Sequence, residues 1–263
     1  MSSNETSGVR ESAAKLSEVL DGSANIVFFG GAGVSTESGV PDFRSESGLY
    51  STSQVYGYPP EQLLSRSFFE NNPELFFQYY KENLVHTGAK PNKGHIALAR
   101  LEQEGSLKAV ITQNVDGLHQ AAGSSNVLEL HGSGSRNQCV ACGEEYGLGY
   151  ILDAENCHVF VPKCGKCGAT VRPCIVLYEE ALDERVMRAA SEAVSVADCL
   201  IVGGTSLAVY PAAGLLRNFR GRSLVLINKT PTPYDTSANL VIRTAIAEVL
   251  DLAVGGRLIK EIT

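Results

Sequence analysis

No charge-free apolar run in the 263 residues is long enough to cross a membrane, which sets aside a helical membrane protein. Low-complexity tracts are also missing. With 44% hydrophobic and 19% charged residues the composition is that of a globular protein, not a disordered one. A basic surplus is absent as well: the net charge is -7, which argues against nucleic acid as the main partner and suits a basic, lysine-bearing peptide. The opening stretch, MSSNETSGVRESAAKL, lacks the basic and then apolar order of a secretory signal, so the cytoplasm is the expected compartment. The seven cysteines do not look like a disulfide framework, because four of them form two CxxC pairs and the others are scattered.

What is present is an alternation of short β-rich runs and helical segments. The runs are Ala24 to Phe29, Lys108 to Thr112, Asn126 to Leu130, Ile175 to Tyr178, Cys199 to Val202, Leu224 to Ile227 and Leu240 to Ile242. Helical spacing marks Glu11 to Leu20, His95 to Glu104, Asp183 to Ser195, Pro211 to Phe219 and Ala245 to Val254. Such alternation predicts an α/β protein with a doubly wound, Rossmann-like parallel sheet. Two stretches interrupt it. Tyr50 to His86 is aromatic-rich and helical by pattern, with Pro59, Pro60 and Pro73 placed as helix starters, and Cys139 to Pro173 is rich in Cys and Gly. The expected organisation is a Rossmann-like domain in three parts (1–49, 88–136, 174–263), with a helical insertion (50–87) and a zinc-binding insertion (137–173) forming a smaller lobe. A ligand would bind in the crevice between them.

Four stretches carry chemistry. In "FFGGAGVSTESGVPDFRS" a strand runs into Gly30, Gly31 and Gly33, whose N–H groups at a helix start suit a pyrophosphate. Thr36 stands where a dinucleotide fingerprint has its third glycine, and Pro41 stops the helix after about two turns. The chain then presents Asp42, Phe43 and Arg44 in a row beside the phosphate site, an arginine to pair with phosphate and a ring to cover a flat group. In "TQNVDGLHQAAG" the polar Gln113, Asn114 and Asp116 follow a strand, where α/β sites are built. In "LELHGS" His131 ends another strand and is placed to act as a base near neutrality. His86, His95, His119 and His158 read as structural or surface residues. Cys139, Cys142, Cys164 and Cys167 form C-x2-C-x21-C-x2-C, the ligand set of a closed tetrahedral zinc site, with Cys157 or His158 as alternative ligands. Downstream, Gly203, Gly204, Thr205, Ser206 and Asn228 end two more strands and could hold phosphate and ribose.

"GAGVSTESGVPDFRS", "TQNVDGLHQAAG", "LELHGS", the four cysteines, "GTSL" and "LINK", in that order, resemble the sirtuins, NAD-dependent protein lysine deacylases, over about Ala24 to Leu250. The tyrosine-rich insert and "VRPCIVLYEEALD" are most similar to the bacterial branch. The resemblance implies that Gly31, Ala32, Gly33, Thr36, Asp42, Phe43, Arg44, Gln113, Gly204, Thr205, Ser206, Asn228 and the backbone near Ala245 hold NAD. It implies further that Ser35, Asn114, Val115 and Asp116 line the nicotinamide pocket, with His131 and Asn114 catalytic, and that Val176, Tyr178, Glu179 and Val209 meet the substrate peptide. The implied cofactors are NAD as co-substrate and one structural zinc. The implied partners are acetyl-lysine proteins or peptides, met by a monomer. Two departures stand out: Gly30 replaces a common Thr, and Tyr178-Glu179-Glu180 replaces a common Phe-Gly-Glu on the stretch that pairs with the substrate backbone. Sirtuins that remove succinyl groups carry a tyrosine and, three residues on, an arginine on the first insertion. Aligned by its aromatics, "LFFQYYKENLV" offers Tyr79 and Glu82 there, which predicts a preference for neutral acyl groups. Alternatives left open are ADP-ribose transfer to protein and an NAD-binding module without turnover.

Overall fold

The computed structural model describes residues 3–42 and 53–260. Helix α1 (Ser3–Asp21) leads into β1 (Ile26–Gly30), and the chain returns through β2 (Leu107–Thr112) and β3 (Val127–Glu129). A second group of strands follows: β4 (Gly132–Cys139), β5 (Glu145–Gly147), β6 (Cys157–His158), β7 (Val161–Pro162) and β8 (Val171–Ile175). Then come β9 (Cys199–Gly203), β10 (Ser223–Ile227) and β11 (Leu240–Ile242).

Six of these strands form one parallel sheet in the order β11-β10-β9-β1-β2-β3. That is the Rossmann order, in which the chain reverses direction of travel between β1 and β9 and leaves a crevice at their carboxyl ends. Both faces are covered, as a parallel sheet requires. On β1 the side chains alternate, so Ile26 and Phe28 enter one core while Val27 and Phe29 enter the other. The first core is closed by α1 together with the helices Lys93–Gln103 and Ile246–Lys260, through residues such as Leu16, Leu98 and Leu250. The second takes Ala190 and Val194 and, from the turn at Ala212–Asn218, Leu215 and Leu216.

The remaining helices follow in chain order. The first insertion folds as α2 (Ser53–Tyr56), α3 (Pro60–Leu63), α4 (Arg66–Asn71) and α5 (Pro73–Asn83), with Pro60 and Pro73 at first helical positions as the sequence predicts. The sheet domain resumes with α6 (Lys93–Gln103), which packs in the first core, and the short α7 (Leu118–Ala121). The second insertion holds α8 (Leu148–Leu152). After it come α9 (Glu184–Val196), in the second core, and α10 (Ile246–Lys260), in the first. The two insertions share a third core in which Phe68, Phe76, Phe77 and Tyr80 pack with Ile151, Val161, Val171 and Ile175, so they form one smaller lobe.

Three expectations change. The run expected over Ile175 to Tyr178 is not a parallel strand: the strand is β8, it ends at Ile175, and it pairs antiparallel with β4. Its burial alternates, the mark of a sheet with one covered face, whereas β1 and β9 are buried throughout. The segment after Pro211 is 3-10 in geometry, not an α-helix. After Gly31 there is no two-turn helix but two 3-10 turns, Ala32–Val34 and Thr36–Ser38, ended by Gly39 at φ +81° before Pro41 is reached.

Candidate active site

The crevice is built by close approach of two glycine turns. A Cβ on Gly31 would lie 2.8 Å from Thr205 Cβ, and one on Gly33 would lie 2.8 Å from Gly204 Cα. Gly31 N–H donates to Gly203 O (3.2 Å) and Gly33 N–H to Gly204 O (2.8 Å). These amides therefore clamp β1 to β9, and the expectation that they face a pyrophosphate is corrected. Gly204 sits at φ +60°, a conformation that favours glycine.

Each further candidate follows the carboxyl end of a parallel strand. Gln113 follows β2, donates its N–H to Gly30 O, and accepts at Oε1 from Thr205 Oγ1 (2.9 Å), which joins the ends of β2 and β9. Ser35 is fully buried; its Oγ donates to Asp116 Oδ2 (2.7 Å) and accepts from Asn114 Nδ2 (3.0 Å). Asp116 also accepts from Leu118 N–H at Oδ1 (2.9 Å), so one carboxylate both caps a turn and orients Ser35. Val115 is half-buried and takes Gly134 N–H on its carbonyl. Ala32, Thr36, Asp42 and Ser206 are half-buried around the same turns, with Thr36 Oγ1 donating to Gly33 O. Asn228 follows β10 and binds Thr230 through its side chain, and Ala245 immediately precedes α10. Phe43 and Arg44 lie outside the described residues.

His131 stands where the chain leaves the parallel sheet and enters β4. Its Nδ1 is 2.9 Å from Gln113 O. A carbonyl can only accept, so Nδ1 carries the proton and Nε2 of the neutral ring keeps its lone pair. Burial lowers the pKa of His131 below the ordinary imidazole value, against the opposing effect of the Gln113 carbonyl. The ring is thus held neutral, with one nitrogen able to take a proton. His95 and His119 are buried in contact with each other (ring centroids 4.7 Å apart), and burial pushes His119 down to about 3. His86 is half-buried and His158 exposed.

Of the residues expected to meet peptide, Val176 donates its N–H to His131 O (2.9 Å), so the segment after β8 begins beside the histidine. Tyr178 and Glu179 are exposed, Glu179 at φ +75°, and Val209 is half-buried.

The zinc ligands come from the loops at the far ends of β4 and β8. The sulfurs of Cys139, Cys142, Cys164 and Cys167 all lie within 4.8 Å of one another, with 3.5 Å between Cys139 and Cys167 and 3.6 Å between Cys142 and Cys164. A tetrahedral zinc with sulfur at roughly 2.3 Å has sulfur–sulfur edges of roughly 3.8 Å, so the four thiols fit one ion and leave no open position. The alternative ligands stay out of the cluster: Cys157 Sγ faces Ile151 O, Asp153 O and Lys81 Nζ, and His158 is exposed. Cys199 is buried and Cys174 half-buried, both away from the cluster.

The Sir2 family pattern matches residues 31–211, more than half of the chain. The chain belongs to the Sir2 family. A relative from Clostridium perfringens named NAD-dependent protein deacetylase is 58% identical over 237 residues, 90% of this chain and 96% of the relative. One of the same name from Clostridium acetobutylicum is 54% identical over 240 residues, 91% of this chain and 97% of the relative. A solved structure of Sir2 with a deacetylated p53 peptide and 3′-O-acetyl ADP ribose matches with a TM-score of 0.84 at 37% identity, covering 92% of this chain and 97% of that one. Another, of Sir2 with a p53 peptide and NAD+, has a TM-score of 0.79 at 38% identity and covers 95% of this chain and 98% of that one.

In this Sir2 chain the structure also brings in residues that the sequence reading missed. Glu37 accepts from Ala247 N–H (3.0 Å) and ties the second 3-10 turn to the start of α10. Asn92 caps α6 through Oδ1 while its Nδ2 donates to Val34 O (2.8 Å) and Ser38 Oγ (3.0 Å). The signal for Asn92 was its place before a helical run; Glu37 had none, because its partner is far along the chain. The Tyr79 and Glu82 alignment is corrected. Tyr79 is buried edge-on against Tyr56, and Glu82 is exposed and bonded to Tyr56 and Gln78. Tyr80 is the residue whose hydroxyl reaches Gly134 O (3.4 Å), beside Val115.

Proposed function

We propose that this chain is an NAD-dependent protein lysine deacetylase, acting on acetyl-lysine peptides as a monomer in the cytoplasm. The observation that carries the site reading is His131, with Nδ1–H committed to the Gln113 carbonyl and the Nε2 lone pair left at the crevice of a doubly wound sheet. The residues suit a dinucleotide. Gly31, Gly33 and Gly204 let the turns after β1 and β9 approach closely at the floor of the crevice, and hydroxyl and amide side chains stand at the ends of β2, β9 and β10.

Bound NAD would supply a ribose carbon with nicotinamide as leaving group: the acetyl oxygen would bond that carbon as nicotinamide leaves, and a water would then break the acetyl–lysine C–N bond, giving free lysine and acetylated ADP-ribose. On this reading Ser35, Asn114, Val115 and Asp116 receive the nicotinamide amide, in an arrangement held by the Ser35–Asp116 and Asn114–Ser35 hydrogen bonds. Nε2 of His131 takes the proton released as the acyl group migrates over the ribose hydroxyls. Thr205 and Gln113 hold the ribose and phosphate side through the contact that joins β2 to β9. Positioning in an enclosed crevice makes a weak amide oxygen an effective nucleophile. Zinc, bound at the other end of β4, supports the smaller lobe and takes no part.

The test is mass spectrometry of an acetyl-lysine peptide incubated with the protein, with and without NAD, alongside His131→Ala. The reading expects acetyl loss that needs NAD and disappears in the variant while the variant still binds NAD. Near-normal turnover by the variant would remove His131 from the mechanism. ADP-ribose on protein without acetyl loss would replace the reaction class.

A further inference from the structure

Glu179 holds a backbone conformation, φ +75°, that a residue with a Cβ disfavours and glycine adopts freely. Its side chain has a defined task. Oε2 accepts from Ser67 N–H (2.8 Å) and Oε1 from Ser67 Oγ (2.9 Å), in the first turn of α4. The neighbouring backbone is tied to the same insertion, with Tyr178 N–H donating to Leu64 O (3.0 Å) and Arg66 N–H to Tyr178 O (3.0 Å). Glu180 is committed elsewhere: it forms a two-pronged pair with Arg172 (2.7 and 3.0 Å) and accepts from Leu177 N–H (2.8 Å). Both carboxylates of this segment are therefore engaged within the protein.

The segment starts at Val176, bonded to the His131 carbonyl. An acyl-lysine reaching His131 has its backbone within one side-chain length of that point, which puts residues 176–179, the stretch the sirtuin resemblance pairs with substrate, within the peptide's reach. From this, and resting on the deacetylase reading, we propose that Glu179 is a positioning residue: its carboxylate, held by Ser67, locks the peptide-pairing segment to the helical insertion before peptide arrives. It does not select basic flanking residues by charge. A site that is competent only part of the time binds more weakly in proportion to that fraction, and the lock removes this loss.

The experiment compares wild type, Glu179→Gly, Ser67→Ala and the double variant. Hydrogen exchange over residues 176–180 is measured without ligand, and peptide KM, NAD KM and kcat are measured with acetyl-lysine peptides having neutral or basic flanks. In Glu179→Gly, although backbone strain is relieved, exchange over 176–180 should quicken and peptide KM should rise about five- to tenfold, equally for both peptides. NAD KM and kcat should stay within about twofold, the split expected when substrate binding alone is weakened. Ser67→Ala should give a smaller rise and add little in the double variant, because both act through one contact. Unchanged exchange with unchanged peptide KM, or a KM rise confined to the basic peptide, overturns the proposal. If Glu179→Gly does not fold, Ser67→Ala decides on the same readouts. A wild type without NAD-dependent turnover would defeat the deacetylase reading, while quickened exchange in the variants would still support the lock.

Discussion

His131 is one of three histidines whose pKa burial lowers, and only its geometry separates it from the other two. Among the described residues, His119 has both ring nitrogens buried without a hydrogen-bond partner, which suits a neutral packing residue. His131 has Nδ1 fixed by Gln113 O, and its Nε2 is not among the buried atoms without a partner. The pH consequence follows from the sign. A lowered pKa means that the folded protein keeps His131 neutral at pH values where a free imidazole is already charged. The acid limb of kcat/KM should then fall below the ordinary value of roughly 6.5. The same linkage makes protonation favour unfolding, so any stability cost grows as pH falls below that value. A pH profile from about 5 to 8 with an acetyl-lysine peptide tests this; an acid midpoint at or above the ordinary value would show that His131 does not titrate as the base. At this scale the sequence was readable where a residue type and its strand-end position coincide, as for His131, Asn114 and Asp116. It was silent on Glu37 and on the grip of Ser67 on Glu179, because those contacts join distant segments and no local pattern encodes them.

The elements of the sheet were legible for a related reason. Continuous apolar runs such as Cys199–Gly203 are too short for a buried helix and are bounded by glycines that mark the turns, which favours buried strands. The zinc-binding insertion was legible through its cysteines but not through its strands, since β5, β6 and β7 are two or three residues long and owe their pairing to the lobe around them. The four thiols tie the β4–β5 loop to the loop before β8, where apolar periodicity is poor. Cys142→Ala should release the metal, lower the melting temperature and remove activity through loss of the lobe's fold, with zinc content by atomic absorption and thermal unfolding as the measurements. His131 immediately precedes β4 and Cys139 ends it; the β8 partners of the two ends, Ile175 and Val171, are four residues apart, so roughly 13 Å separates the ends of β4 and no direct effect on the chemistry is expected. A variant that stays folded and metal-loaded would refute the ligand assignment.

For the molecule as a whole, the expected acyl preference would depend on which face of α5 the smaller lobe turns to the crevice. Each residue turns a helix by about 100°, so a one-residue slip in alignment changes the face presented to the crevice. Packing fixes that phase: Tyr79 turns to Tyr56 while Tyr80 turns to Gly134, and the position three residues beyond Tyr80 is Asn83, not Glu82. Asn83 is neutral and donates to Tyr79 O (3.0 Å) and Tyr56 Oη (3.3 Å). The cations on the nearby elements are already engaged. Lys81 binds Phe160 O and Cys157, Arg136 pairs with Glu129, and Arg172 pairs with Glu180. Among the described residues, then, no spare cation on these elements awaits a distal carboxylate, and the expected preference for neutral acyl groups would rest on that lack. A charge buried without its partner typically costs about 2 to 5 kcal/mol. Each 1.4 kcal/mol or so is a factor of ten, so succinyl-lysine should be turned over well over tenfold less efficiently than acetyl-lysine. The deciding measurement is kcat/KM for matched acetyl and succinyl peptides at saturating NAD, and a succinyl value equal to or above the acetyl value in the wild type would overturn the expected preference for neutral acyl groups.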